Sequence, residues 1–251
     1  MDWLDLLHVA DSAFPSGAYV HSFGLETLAP SSVAELEAQL VVRLEEQLAR
    51  LELVFVLHAY HQPWPVLDAA LHARLLARET REASAAIGTA LLRAVCDMLD
   101  AGRLARCGVD PPRIPNAATS QRCSAAAVRT APTEPPSGLR RAALDAFLLN
   151  GPYRHQPVAW GAVAQVLEVP PTRAAEAYAF GALRGQVSAA QRLGWLGQYQ
   201  AQRLLHALKP GVVAATVLAS RLSLDDAGAF APAWEIASMN HERATSRMFV
   251  S

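Results

Sequence analysis

Residues 32–55 read SVAELEAQLVVRLEEQLARLELVF. Val33, Leu36, Leu40, Leu44, Leu48, Leu51 and Phe55 recur at spacings of three and four, which lays one apolar stripe along several helical turns. Ser32, with Glu35 three residues on, has the pattern of a capping box at the start of that helix. Trp64 lies between Pro63 and Pro65, and prolines drive the residue before them out of the α region, so this unit is expected to end at His61 or Gln62.

The same periodicity extends outward. A helix is expected over 66–78. Another over 82–104 carries Ile87, Leu91, Val95, Met98 and Leu99 on one side. Further helices are expected over 139–149 and 157–167. Pro170, Pro171 and Thr172 form a start signal for a helix over 174–193, which the Gly194-Trp195-Leu196-Gly197 turn ends. Beyond it, 198–208 and 232–247 read as helices, and Pro210 is expected to open a separate one running to 222. Between 108 and 138 the pattern collapses into Pro111, Pro112, Pro115, Pro132, Pro135 and Pro136 among Ala, Ser and Thr, the composition of a flexible surface loop. No stretch alternates like a strand, and no repeat is visible. The expectation is an all-α chain, 1–251 as a single domain, a bundle of about eight to ten helices with a long Pro-rich loop.

Composition narrows the function. The chain has 251 residues, 52% hydrophobic and 18% charged, enough for a substantial core. Its net charge of −1 gives no field favouring nucleic acid or an anionic membrane. Lys209 is the sole lysine and has no glycine cradle before it, so a P-loop nucleotide site is not expected. Cys96, Cys107 and Cys123 are odd in number and widely spaced, which suits a reducing compartment. The acidic opening Met1-Asp2-Trp3-Leu4-Asp5 lacks the basic start of a signal peptide. The apolar run at 212–219 is too short to span a bilayer. A cytoplasmic, soluble protein is expected.

Chemistry-bearing residues are sparse. In Asp11–Glu26, Pro15, Ser16 and Gly17 break the chain, and Phe14, Tyr19 and Phe23 then crowd around His21, Ser22 and Gly24. His58 and His61 are three apart on a helix, but no acid or cysteine nearby completes a ligand set. Ser16 and Ser137 lack the G-x-S-x-G elbow, and Asp225-Asp226 reads as a helix start. Arg192 and Gln198 flank a glycine turn suited to protein contact, from which an arginine could reach a partner GTPase. Neither catalytic residues nor metal ligands are assigned.

The Asp11–Glu26 stretch resembles the N-terminal signature of the urease accessory protein UreF family. Similar blocks follow in order: Arg78-Glu79-Thr80-Arg81-Glu82-Ala83-Ser84 with Gly88 and Leu91-Leu92-Arg93, then His155-Gln156-Pro157-Val158-Ala159-Trp160-Gly161. Val187–Leu193 with Gly197-Gln198 and Gln202–Leu205 comes next, and Thr245–Ser251 closes the chain. Ala18-Tyr19 stands where the family has Gly-Phe, Arg154 replaces a usual Gly, and Val250 replaces a usual Arg.

The resemblance implies an all-α homodimer, not an enzyme. It would scaffold UreD (UreH) and recruit and regulate the GTPase UreG for nickel insertion into apo-urease. No cofactor would be bound tightly by this chain, since nickel and GTP would be handled by the GTPase. Partner contacts would be made by Tyr19, His21, Ser22, Glu26, Arg192, Gln198, Arg247, Phe249 and Ser251. The tail 247–251 is expected to be mobile when free and to order on the UreD-type partner. Two other readings compete. One is an all-α hydrolase or lyase with a pocket lined by Tyr19, His21, Ser22 and Glu26. The other is a nickel carrier using His58, His61 and His241.

Overall fold

The long apolar stripe folds as one continuous rod. In the computed structural model, which describes residues 3–106, 137–244 and 247–250, it comprises α3 (Val33–Val42), a π-helical segment (Arg43–Glu52) and α4 (Leu53–His58). Leu36, Leu40, Leu44, Leu48, Leu51 and Phe55 are all buried, while Val33 in the first turn stays exposed. Ser32 Oγ accepts from the Glu35 N–H at 3.1 Å. The Glu35 carboxylate reaches one residue further back than a capping box requires, accepting from Ser31 N at 2.8 Å and Ser31 Oγ at 2.6 Å.

Before the rod come α1 (Trp3–Ala10), a 3-10 turn (Ala18–Val20) and the short α2 (Leu25–Leu28). After it come α5 (Trp64–His72), α6 (Arg78–Arg106), α7 (Ser137–Asn150), α8 (Gln156–Val166), α9 (Pro171–Arg192), α10 (Gln198–Ala219) and α11 (Pro232–His241). The described residues contain no strand. The architecture is a single-domain all-α bundle. Of the loop expected at 108–138, residues 108–136 lie outside the described residues, and Ser137 and Gly138 open α7.

Several expected boundaries are corrected: the helix expected over 66–78 ends at His72, and the others lie at or near a proline or a chain end. The rod stops at His58, and Trp64 opens α5 because Pro65 sits in the first helical turn, where its missing N–H has no partner to lose. The Trp64 indole donates to the Ala59 carbonyl at 2.9 Å and pins the turn. Pro210 does not start a helix but lies inside α10. Leu204, Leu205 and Leu208 before it and Val212, Ala215 and Ala219 after it keep one buried stripe. Pro210 and His206, whose carbonyl loses its partner, are both exposed, so water can satisfy that group. Finally, α11 ends at His241 rather than 247, because the chain turns there to return along the body.

The centre of the bundle is α8, buried along nearly its whole length from Pro157 to Val166 and packed on α4, α6, α7 and α9. A helix apolar all round can exist only inside a core. Gly161 sets its distance to α4: a Cβ there would lie 2.6 Å from Ala59 Cβ and 2.7 Å from the Val56 carbonyl. Trp160 completes the layer, donating its indole N–H to the Ala174 carbonyl at 2.9 Å. No helix among the described residues is long and apolar enough to cross a membrane.

Candidate functional site

The N-terminal stretch is bent by two glycines in the left-handed region, Gly17 at φ +75° and Gly24 at φ +89°. Gly24 also has no room for a side chain, since a Cβ would come within 2.9 Å of Ser238 N, and this closeness seats α2 on α11. Phe14 and His21 are buried by these bends, whereas Tyr19 is left 62% exposed. Burial lowers the His21 pKa.

Tyr19 and His21 border a cavity of about 130 Å³ whose inner wall carries Arg43, Glu52, Tyr178 and Gln186. The π-helical segment supplies the first two. Its wider turn lets Arg43, Gln47 and Glu52, four and five residues apart, reach one another. Arg43 donates to Gln47 Oε1 at 3.3 Å, Gln47 donates to Glu52 Oε1 at 3.3 Å, and the Tyr178 hydroxyl donates to Glu52 Oε2 at 2.6 Å. The Arg43 guanidinium lies 5.3 Å from the Phe23 ring centroid and 4.9 Å from that of Trp234. Burial pulls the Arg43 pKa down, opposed by Glu52, Tyr178 and Glu235. Burial first, and then Glu52, push the Tyr178 phenol well up, so it stays a donor.

The pocket expected for a hydrolase or lyase is therefore not assembled. Tyr19 and His21 line the cavity, but Ser22 is wholly buried with its Oγ unpartnered. Glu26 is engaged elsewhere, by the C-terminal tail. Its carboxylate accepts from Met248 N at 2.9 Å and Phe249 N at 3.3 Å. Burial alone would raise the Glu26 pKa. The Met248 N–H, the His241 ring and the Phe249 N–H outweigh that and hold it below its usual value.

The tail expected to be free is packed on the body instead. Phe249 is 3% exposed beneath the Arg192 guanidinium, 4.3 Å from its ring centroid, and Arg247 donates to Glu79 Oε1 at 3.1 Å. Val250 N donates to the Val20 carbonyl at 2.9 Å. The reason is local: Phe249 finds an apolar seat, and the backbone N–H groups of 248–250 all find acceptors on the N-terminal stretch. Arg192, Arg247, Phe249, Tyr19 and Glu26 thus share one region. Gln198 is exposed and accepts from Gln191 Nε2 at 2.7 Å. Ser251 lies outside the described residues.

His241 is the hub of this region. It is buried, with Nε2 3.1 Å from Glu26 and Nδ1 3.0 Å from Glu79. His58 faces the Leu222 carbonyl at 3.3 Å and His61 is exposed, so the three histidines of the nickel-carrier reading do not converge. Among the described residues no group of three His, Cys, Asp or Glu is placed to hold a metal.

The His155 block builds a second polar hub inside the core. Asp68, wholly buried on α5, accepts from the backbone N–H groups of Tyr153, Arg154 and His155 at 2.8, 2.6 and 2.8 Å. His155 Nε2 lies 3.0 Å from His72 Nδ1. Burial pushes the His155 pKa down from 6.5 to about 4, with His72 and Arg81 adding to the shift and Asp68 opposing it. A histidine neutral in the fold and basic in the unfolded chain makes acid favour unfolding. Stability should therefore fall as pH drops from about 6.5 to about 4. Urea denaturation at neutral pH and near pH 4, in the parent chain and in His155→Gln, isolates this contribution.

Sequence reasoning missed Arg43, Gln47 and Glu52, because polar residues between leucines read as a solvated face, and it missed Tyr178, which stands between alanines on α9. Asp68 gave no signal either. Glu79 did, as part of the Arg78–Ser84 block.

Among the described residues the C-terminal tail is thus docked on the N-terminal stretch of an all-α body. Comparison with known proteins gives its family. The UreF family model matches residues 31–209. The urease accessory protein UreF of Arthrobacter sp. (strain FB24) is 34% identical over 253 residues, covering 99% of this chain and 96% of that protein. That of Paenarthrobacter aurescens (strain TC1) is 32% identical over 255 residues, covering 99% and 97%. The chain belongs to the UreF family of urease accessory proteins, and as such is an accessory protein and not an enzyme.

Proposed function

We propose that this chain is the scaffold of a urease-maturation complex. In this reading it binds a UreD (UreH) partner through the joined N-terminal and C-terminal surface, works as a homodimer, and with UreD recruits and regulates the GTPase UreG. Nickel is the cargo delivered to apo-urease, and GTP is handled by UreG, in keeping with a sole lysine, Lys209, placed within α10. The carrying observation is the Val250 N–H to Val20 carbonyl bond, which brings residues from both ends of the chain together. Beside it Tyr19, Met248 and Val250 stay exposed, and Arg247 and Arg192 supply charge. Aromatic, Met and Arg side chains are the types enriched in interface cores.

The double variant Tyr19→Ala/Met248→Ala removes exposed area without touching the core. Its affinity for the same organism's UreD, measured by titration calorimetry, should fall at least about tenfold, with helicity unchanged. Full affinity would overturn this assignment of the surface. Light scattering at monomer mass across micromolar concentrations would overturn the homodimer.

A further inference from the structure

His241 holds a carboxylate on each ring nitrogen, Glu26 at 3.1 Å and Glu79 at 3.0 Å. A neutral imidazole has one N–H and can serve only one of them; an imidazolium serves both. Glu26 is also the acceptor for the tail, through Met248 N and Phe249 N. We propose that docking of the C-terminal tail is proton-linked, with the His241 imidazolium as the clasp that holds Glu26 where the tail can bind.

Every charged group facing the clasp fits this reading. Glu26 comes from α2, Glu79 from α6 and Arg247 from the tail, so with His241 protonated two negative charges meet two positive ones. Beside the clasp, Arg78 pairs with Glu242, and the Thr80 and Ser238 hydroxyls join α6 to α11 at 3.0 Å. Arg192 of α9 covers Phe249, and Glu235, on the same helix as His241, acts on Arg43 instead.

Loss of the proton leaves one carboxylate against a bare lone pair about 3 Å away, a repulsive contact in a low-dielectric site. Glu79 is 7% exposed and bonded to Arg247, so it keeps the remaining N–H, whereas Glu26, at 20%, can turn to water. Glu26 then leaves its place, and the amides of Met248 and Phe249 lose their acceptor. At the acid end the lowered Glu26 pKa helps to keep that carboxylate charged and the clasp closed, so the linkage acts as pH rises.

Hydrogen exchange of the full chain, corrected for intrinsic rates, tests this between about pH 5.5 and 8.5. Protection of the Met248, Phe249 and Val250 amides should fall as pH rises through this range, approaching a limiting slope of about tenfold per pH unit for one linked proton. His241→Gln should show no such slope. Glu79→Gln, whose amide can donate to the second ring nitrogen, lets a neutral imidazole serve Glu26 and should flatten the slope. Circular dichroism checks that both variants fold. If His241→Gln does not, the slope in Glu79→Gln decides, and an unchanged slope overturns the proposal. So would pH-independent protection in the parent chain, tail amides unprotected at every pH, or an unchanged slope in His241→Gln.

Discussion

Asp68→Ala should lower the unfolding free energy by about 4 kcal/mol. The carboxylate is wholly buried and takes three backbone N–H groups, those of Tyr153, Arg154 and His155. Backbone donors left without a partner cost about 1 to 3 kcal/mol each, and a water entering the space the carboxylate vacates can serve only some of the three. Arg154 adds strain, since it holds φ +61° as a non-glycine residue, and the Asp68 contact is what makes that conformation tolerable. Asp68→Asn should cost less, because one oxygen remains for the N–H groups while the amide nitrogen opposes the others. Guanidinium denaturation with both variants orders them. A loss under 1 kcal/mol for the alanine variant would show that the loop does not depend on α5.

Much of the helical layout was legible because leucines at three- and four-residue spacing announce both the helix and its buried face. Leu36 to Phe55 showed this without ambiguity. Prolines misled in two places, for different reasons. Pro210 reads as a stop or start by local rules, yet the apolar register on either side is continuous, and packing along that register outweighs one lost backbone bond. Trp64 reads as a linker residue between two prolines, yet Pro65 is well placed in a first helical turn.

The site was legible only in part. Tyr19, Glu26, Arg247 and Phe249 stand out as polar or aromatic residues in unusual settings, and they do gather. That the tail is docked was not legible. Nothing near Arg247 in sequence shows that Glu79, Glu26 and Arg192 wait across the fold. Partners more than fifty residues apart leave no local pattern.

Glu52→Leu should cost about 3 to 5 kcal/mol, more than its modest hydrogen bonds suggest. Arg43 is 3% exposed, and a guanidinium cannot shed its proton to escape burial. Glu52 balances that charge through Gln47 and also accepts from the Tyr178 hydroxyl. Its removal leaves the buried cation with Gln47, Glu235 and the faces of Phe23 and Trp234, and takes the acceptor from the Tyr178 phenol. Arg43→Met should be destabilising for the mirror reason, stranding the carboxylate. The pair Arg43→Met/Glu52→Leu removes both charges at similar volume and should recover most of the loss, since buried ion networks are often replaceable by apolar packing. Urea denaturation of the two single variants and the double gives the coupling directly. If the losses simply add, Arg43 and Glu52 do not compensate each other, and the π-helical segment has some other reason to place them on one side. If the double variant is stable yet binds UreD and UreG poorly, the buried charges serve the complex rather than the fold.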